Sequence, residues 1–128
     1  MLFYFDENLP KQLAEALNCL DKDNEIKSVT NDYRGIKDDK LIETLGEKNA
    51  ILITRDRRMK RYCSERELLI KYKMKVLFYD STVSDYWYMA ILFVKKWNNI
   101  TKEFEKIKEG PYFMVMNTNG KIEQISCV

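Results

Sequence analysis

Three acids are the residues with which this sequence could do chemistry: Asp6, Asp38 and Asp56. Asp6 ends the apolar run Leu2-Phe3-Tyr4-Phe5, and Asp56 follows Ala50-Ile51-Leu52-Ile53-Thr54 across Arg55. Short continuous apolar runs bounded by turn signals suit strands buried on both faces, as in a parallel sheet. Asp38 opens a stretch in which Leu41, Ile42 and Leu45 have helical spacing. Ligands of open α/β sheets bind outside the carboxyl ends of the strands, so all three acids are expected at one edge. Two carboxylates about 4 Å apart, at an effective dielectric of about 20, repel by roughly 4 kcal/mol. Either one keeps its proton or a cation sits between them. Oxygen ligands alone select Mg2+ or Mn2+, and such an ion activates water and stabilises a phosphoryl oxygen. The structural alternative makes Asp38 a helix cap and the other two turn residues. Asp39 competes with Asp38 for one role, but sits about 100° further round the helix. Asp80, after a third strand, stays outside the set.

Composition narrows the chemistry further. Histidine is absent, which removes His-based nucleophile activation and His acid–base work and argues against zinc. Cys19, Cys63 and Cys127 are odd in number and widely spaced; they read as free thiols of a reducing cytoplasm. The opening apolar run is too short for a signal peptide and carries Asp6 and Glu7; no stretch approaches a membrane span. The 128 residues suit a single domain, 45% are hydrophobic, and the net charge of +2 leaves any basic patch local.

One such patch surrounds Asp56: Arg55, Arg57, Arg58, Lys60 and Arg61. A basic rim beside an acidic metal site suits a phosphodiester, because the cations hold the backbone while chemistry proceeds at the acids. Tyr33-Arg34, in the loop before Asp38, adds a stacking and phosphate contact. The alternative is a solvated helix start whose cations pair with Glu65 and Glu67.

The elements that must position these groups alternate strand and helix. Asn8 is a natural N-cap, with Pro10 just inside a helix that places Leu13, Leu17 and Leu20 on one face. Residues 26–30 form a weak strand, and 31–37 a loop with Gly35. A helix starts at Asp38 or Asp39, the second buried strand is 50–54, and a helix runs from Met59 to Tyr72. The third strand is 75–79. A long helix follows from Tyr86, with Tyr86, Ala90, Phe93, Trp97, Ile100, Phe104 and Ile107 in steps of four and three, stopped by Gly110-Pro111. Residues 112–117 and 121–126 flank Asn119-Gly120, a hairpin signal. The expected fold is three-layer α/β/α with a mostly parallel sheet in order 2-1-3-4, so that Asp6 and Asp56 face one crevice.

Phe5-Asp6-Glu7-Asn8-Leu9-Pro10, then Gly35 with Asp38-x-x-Leu41, then Ile51-Leu52-Ile53-Thr54-Arg55-Asp56 resemble the PIN-like nucleases. The closer resemblance is to the compact branch related to VapC-type toxins, which opens with Asp-Glu-Asn. It spans about residues 2 to 80. It implies a PIN fold over one domain, 1–128, and a metal-dependent ribonuclease, the toxin of a toxin–antitoxin pair. It implies that Asp6, Asp38 and Asp56 hold Mg2+ or Mn2+, and that Asn8 and Thr54 orient the acids or the attacking water, with Glu7 and Asp39 beside them. Two places depart from the pattern. Where the family often has a further Asp and then Phe, this chain has Arg58 and Met59, and neither Asp32 nor Glu25 makes a good substitute for another family acid.

Other readings follow from the same residues. A catalytically inactive PIN-like module that binds RNA or protein fits the missing acids. A receiver domain has an acid pair after strand one and an Asp after strand three, but the basic run after Asp56 is foreign to it. A dehalogenase-type phosphatase needs an Asp where Asn8 stands. The expected partners are RNA, an antitoxin covering the basic crevice, and a second copy of the chain. The last follows from the aromatic seam of the long helix, widened by Trp87, Met89, Leu92 and Val94, because a helix apolar over most of its circumference is buried on more than one side.

Overall fold

The computed structural model describes the backbone of residues 1–55 and 60–127, and the side chains of that set other than 60–63. Strands β1 (Leu2–Phe5), β2 (Glu25–Ser28), β3 (Ile51–Arg55), β4 (Lys75–Asp80), β5 (Tyr112–Asn117) and β6 (Ile122–Ile125) form one sheet in the order β2-β1-β3-β4-β5-β6. All neighbours are parallel except β5 and β6. The chain leaves β1 to one side for β2 and returns on the other side as β3, which opens a switch point between β1 and β3.

Period-two alternation divides the strand side chains between two layers of helices. Phe3, Phe5, Ile51, Ile53, Leu77, Tyr79, Met114 and Met116 pack with α1 (Lys11–Leu20) and α5 (Tyr86–Glu105). Tyr4, Leu52, Val76, Phe78 and Phe113 pack with Val29 of α2 (Val29–Asp32), Leu41, Ile42 and Leu45 of α3 (Asp38–Glu47) and Leu69 of α4 (Lys60–Lys71). This is the expected α/β/α sandwich, with its hairpin. Among the described residues no helix is long and apolar enough to cross a membrane.

Four local expectations change. Asn8 does not cap α1; Pro10 holds the cap position without a side-chain hydrogen bond, because the Asn8 amide is taken by β3. Strand β2 stops at Ser28, whose hydroxyl accepts the Thr30 N–H at 3.2 Å and starts the short helix α2. Helix α5 ends at Glu105, ahead of Gly110-Pro111. Leu20, expected on the apolar face of α1, is 65% exposed.

The seam of α5 packs inward. Phe93, Trp97, Ile100 and Phe104 are buried, with Trp97 4.9 Å and Phe104 6.0 Å from the Phe3 ring. Tyr86 is the exception and is exposed, and the flanking Met89 and Leu92 are buried. What remains outside is a second stripe, Trp87, Ile91 and Val94, exposed at 79%, 64% and 49%. In the hairpin, Asn117 pairs with Lys121 and leaves a three-residue loop. Gly120 sits at φ 87°, the left-handed place that such a loop needs.

Candidate active site

Asp6 follows β1 by one residue and still belongs to its ladder, since its N–H donates to the Ile53 carbonyl at 2.8 Å. It is 4% exposed. Burying a carboxylate costs several kcal/mol unless hydrogen bonds replace its water. Two such bonds are in place. The Glu7 N–H donates to Asp6 Oδ1 at 2.8 Å, and the Thr54 hydroxyl donates to Oδ2 at 2.8 Å. Each is worth roughly 1.5–3 kcal/mol because its acceptor is charged.

Thr54 is itself held. Asn8 Nδ2 donates to Thr54 Oγ1 at 3.2 Å and to the Arg55 carbonyl at 2.7 Å, while the Arg55 N–H donates to Asn8 Oδ1 at 3.0 Å. The Asn8 amide therefore meets both backbone polar groups of Arg55, as a neighbouring strand would. It extends the β1–β3 pairing by a side chain just where the crevice opens. Asn8 thus contacts Thr54, and Thr54 contacts Asp6.

The second expected acid stands on a different element. Asp38 is the first residue of α3 and exposed; the cap position is Lys37, which makes no side-chain cap bond. Asp39 is exposed and its Oδ1 accepts the Lys40 N–H at 2.9 Å. The loop leading to Asp38 is tied to β1, for the Gly35 N–H donates to Glu7 Oε1 at 2.7 Å. Tyr33 in that loop lies 5.6 Å from the Tyr4 ring. Burial, with the Asp32 carboxylate accepting from the Tyr4 hydroxyl at 2.6 Å, pushes the Tyr4 hydroxyl above its usual range. Tyr4 is therefore neutral, its hydroxyl held by Asp32 and its ring packed in the α3-side core.

Asp56, Arg57 and Arg58 lie outside the described residues, as do the side chains of Lys60 and Arg61. Arg34 is exposed, with Nε 3.5 Å from the Thr30 carbonyl. Arg55 turns away from the solvent rim. Its Nη2 donates to the carbonyls of Ser81, at 3.3 Å, and Val83, at 2.5 Å. Ser81 in turn accepts from the Thr118 and Val83 donors, at 3.0 and 3.1 Å. Arg55 thus joins β3 to the β4–α5 connection and, through Ser81, to the hairpin. Strand alternation, which puts the Arg55 side chain opposite Thr54 on the α5 side, is the one signal in the sequence for this; nothing in it points to Ser81 or Val83.

The donors at this edge are oxygens, which fit a hard divalent cation. Among the described residues no group of three His, Cys, Asp or Glu gathers to hold a metal ion.

A buried, hydrogen-bonded carboxylate thus lies at the switch point of a mostly parallel sheet, the place where ligands of open α/β folds bind. The family follows from comparison. A family model described as a PIN like domain matches residues 1–81, and the chain belongs to that family. The match covers β1 through β4 and includes Asp6, Asp38 and Asp56. PIN domains are generally nucleases and typically use divalent metals, so the family suggests a nuclease-type or nucleic-acid-related function. No curated protein and no solved structure matches the chain.

Proposed function

We propose that the chain is a metal-dependent endoribonuclease and the toxin of a toxin–antitoxin pair. The observation that carries this reading is the buried Asp6 carboxylate, held by Thr54 and the Glu7 N–H at the sheet edge of a PIN-like domain. In this reading Asp6, Asp38 and Asp56 hold Mg2+ or Mn2+. The ion, when bound, supplies an activated water and stabilises charge on a phosphoryl oxygen. Thr54 keeps the Asp6 carboxylate turned to the crevice, and Asn8 keeps Thr54 in place. Arg34, Arg57, Arg58, Lys60 and Arg61 hold the RNA backbone.

Two protein partners belong to the reading. An antitoxin covers the basic crevice with an acidic or extended segment. A second copy of the chain covers the outer stripe of α5, where Trp87, Ile91 and Val94 follow one another at helical spacing.

The test is RNA cleavage with Mn2+, with and without EDTA, alongside calorimetry with Mn2+. Asp6→Asn, Asp38→Asn and Asp56→Asn each remove one anionic oxygen while keeping shape; each is expected to weaken metal binding and abolish cleavage. Asp39→Asn is expected to do much less. Unchanged Mn2+ binding in Asp6→Asn and Asp56→Asn sinks the metal site and the nuclease with it. Arg58, where the family often has an acid, favours a second reading: an inactive module that retains RNA. Retention of RNA without cleavage by the wild-type chain would select it.

A further inference from the structure

Glu7 touches both halves of the candidate site. Its backbone N–H donates to Asp6 Oδ1 at 2.8 Å, and its carboxylate accepts the Gly35 N–H at 2.7 Å. Gly35 stands three residues before Asp38 in the chain. Between them, Ile36 packs against the α3-side core and its N–H closes a turn on the Tyr33 carbonyl at 3.0 Å. Gly35 has φ 76°, a left-handed conformation that side chains rarely adopt. This conformation belongs to the peptide that presents its N–H to Glu7.

From this geometry we infer that Glu7 is a positioning residue that sets where Asp38 stands, through Gly35, and is not itself a metal ligand. The inference rests on the reading above, in which Asp38 serves the acid site. The physical reason is the entry to α3. Lys37, at the cap position of α3, makes no side-chain cap bond. Tyr33 against Tyr4 and Ile36 in the core fix the loop's apolar side. Glu7 fixes its polar side, one residue from Asp6, and so couples two acids that are far apart in sequence. Glu7 acts on Asp38 through the loop backbone; groups hydrogen-bonded directly to a metal ligand change affinity by about 10- to 100-fold when removed, which sets the upper end of the effect.

Glu7→Gln and Glu7→Ala separate the roles. The glutamine carbonyl still accepts the Gly35 N–H, but brings no charge and is a poorer ligand; alanine accepts nothing. Expected for the clamp is that Glu7→Ala loses about 10-fold or more in Mn2+ affinity by calorimetry, while Glu7→Gln stays within about threefold of wild type. In the metal-free protein, hydrogen exchange at the Gly35 amide should speed up in Glu7→Ala and not in Glu7→Gln. If Glu7→Gln loses as much Mn2+ affinity as Asp6→Asn, Glu7 is a ligand and the inference is wrong. If Gly35 exchanges equally in all three proteins, the contact does not constrain the loop and the inference is wrong, whatever the metal data say. Wild-type Mn2+ affinity in Asp38→Asn, with Gly35 exchange still sensitive to Glu7→Ala, marks the failure of the site reading instead and removes the clamp's purpose.

Discussion

The Thr54 hydroxyl donates to the Asp6 carboxylate at 2.8 Å, joining the ends of β1 and β3 inside the protein. Thr54 is fully buried and Asp6 nearly so. Thr54→Val keeps the shape and removes the donor, leaving a buried carboxylate with one hydrogen bond fewer. The expected cost is about 1–3 kcal/mol in urea unfolding at pH 7, with Thr54→Ser closer to wild type. A Thr54→Val protein as stable as wild type would show that this hydroxyl does not support Asp6.

Arg55 and its neighbours in the basic run should separate by measurement. Arg55 grips the Ser81 and Val83 carbonyls, so Arg55→Ala should lower stability by about 1–3 kcal/mol. Arg57→Ala and Arg58→Ala are expected to leave the melting temperature within about a degree or two, and to reduce the salt dependence of RNA binding by about one unit of slope each. An Arg55→Ala protein with unchanged melting and a reduced salt slope would place that guanidinium on the RNA instead.

Acid should loosen the contact between α1 and α5. Trp97 Nε1 donates to Asp21 Oδ2 at 2.8 Å. Burial raises the Asp21 carboxyl, but hydrogen bonds from the Asn24 and Trp97 side chains and from the Asp23 and Asn24 N–H groups outweigh it, and the net direction is downward. A carboxylate lowered on folding contributes stability that is full above its unfolded value, near pH 4, and is lost as pH falls through the lower folded value. Melting followed by Trp fluorescence should fall more steeply below about pH 4 in wild type than in Asp21→Asn. Parallel curves would remove Asp21 from the acid response.

The proposed dimer is tested on the outer stripe of α5. Trp87→Ala and Ile91→Glu change exposed positions and should leave folding within about 0.5 kcal/mol of wild type. If a second copy covers the stripe, wild type has a dimeric mass by light scattering at micromolar concentration, and Ile91→Glu has a monomeric one. A monomeric wild type overturns the dimer.

The layers, the strand order through β4 and the hairpin were legible in the sequence because they depend on local periods. Ile51-Leu52-Ile53 serves both faces of a buried strand, and Phe93, Trp97, Ile100 and Phe104 repeat at the helical step. Asp6 was legible for the same reason: a buried strand that ends on an acid puts it at the carboxyl edge. What the side chains at that edge do was settled only by tertiary structure. Capping propensity assigns Asn8 to α1, yet β3 brings the Arg55 N–H and carbonyl within its reach, and two backbone groups outcompete one cap. Composition assigns Arg55 to the basic rim, yet strand alternation turns it inward toward Ser81 and Val83. The Glu7–Gly35 contact spans 28 positions, and that separation carries no periodic signal. It exists because α2 and the loop after it bring the chain back over the end of β1, and only the assembled sheet brings those two residues together.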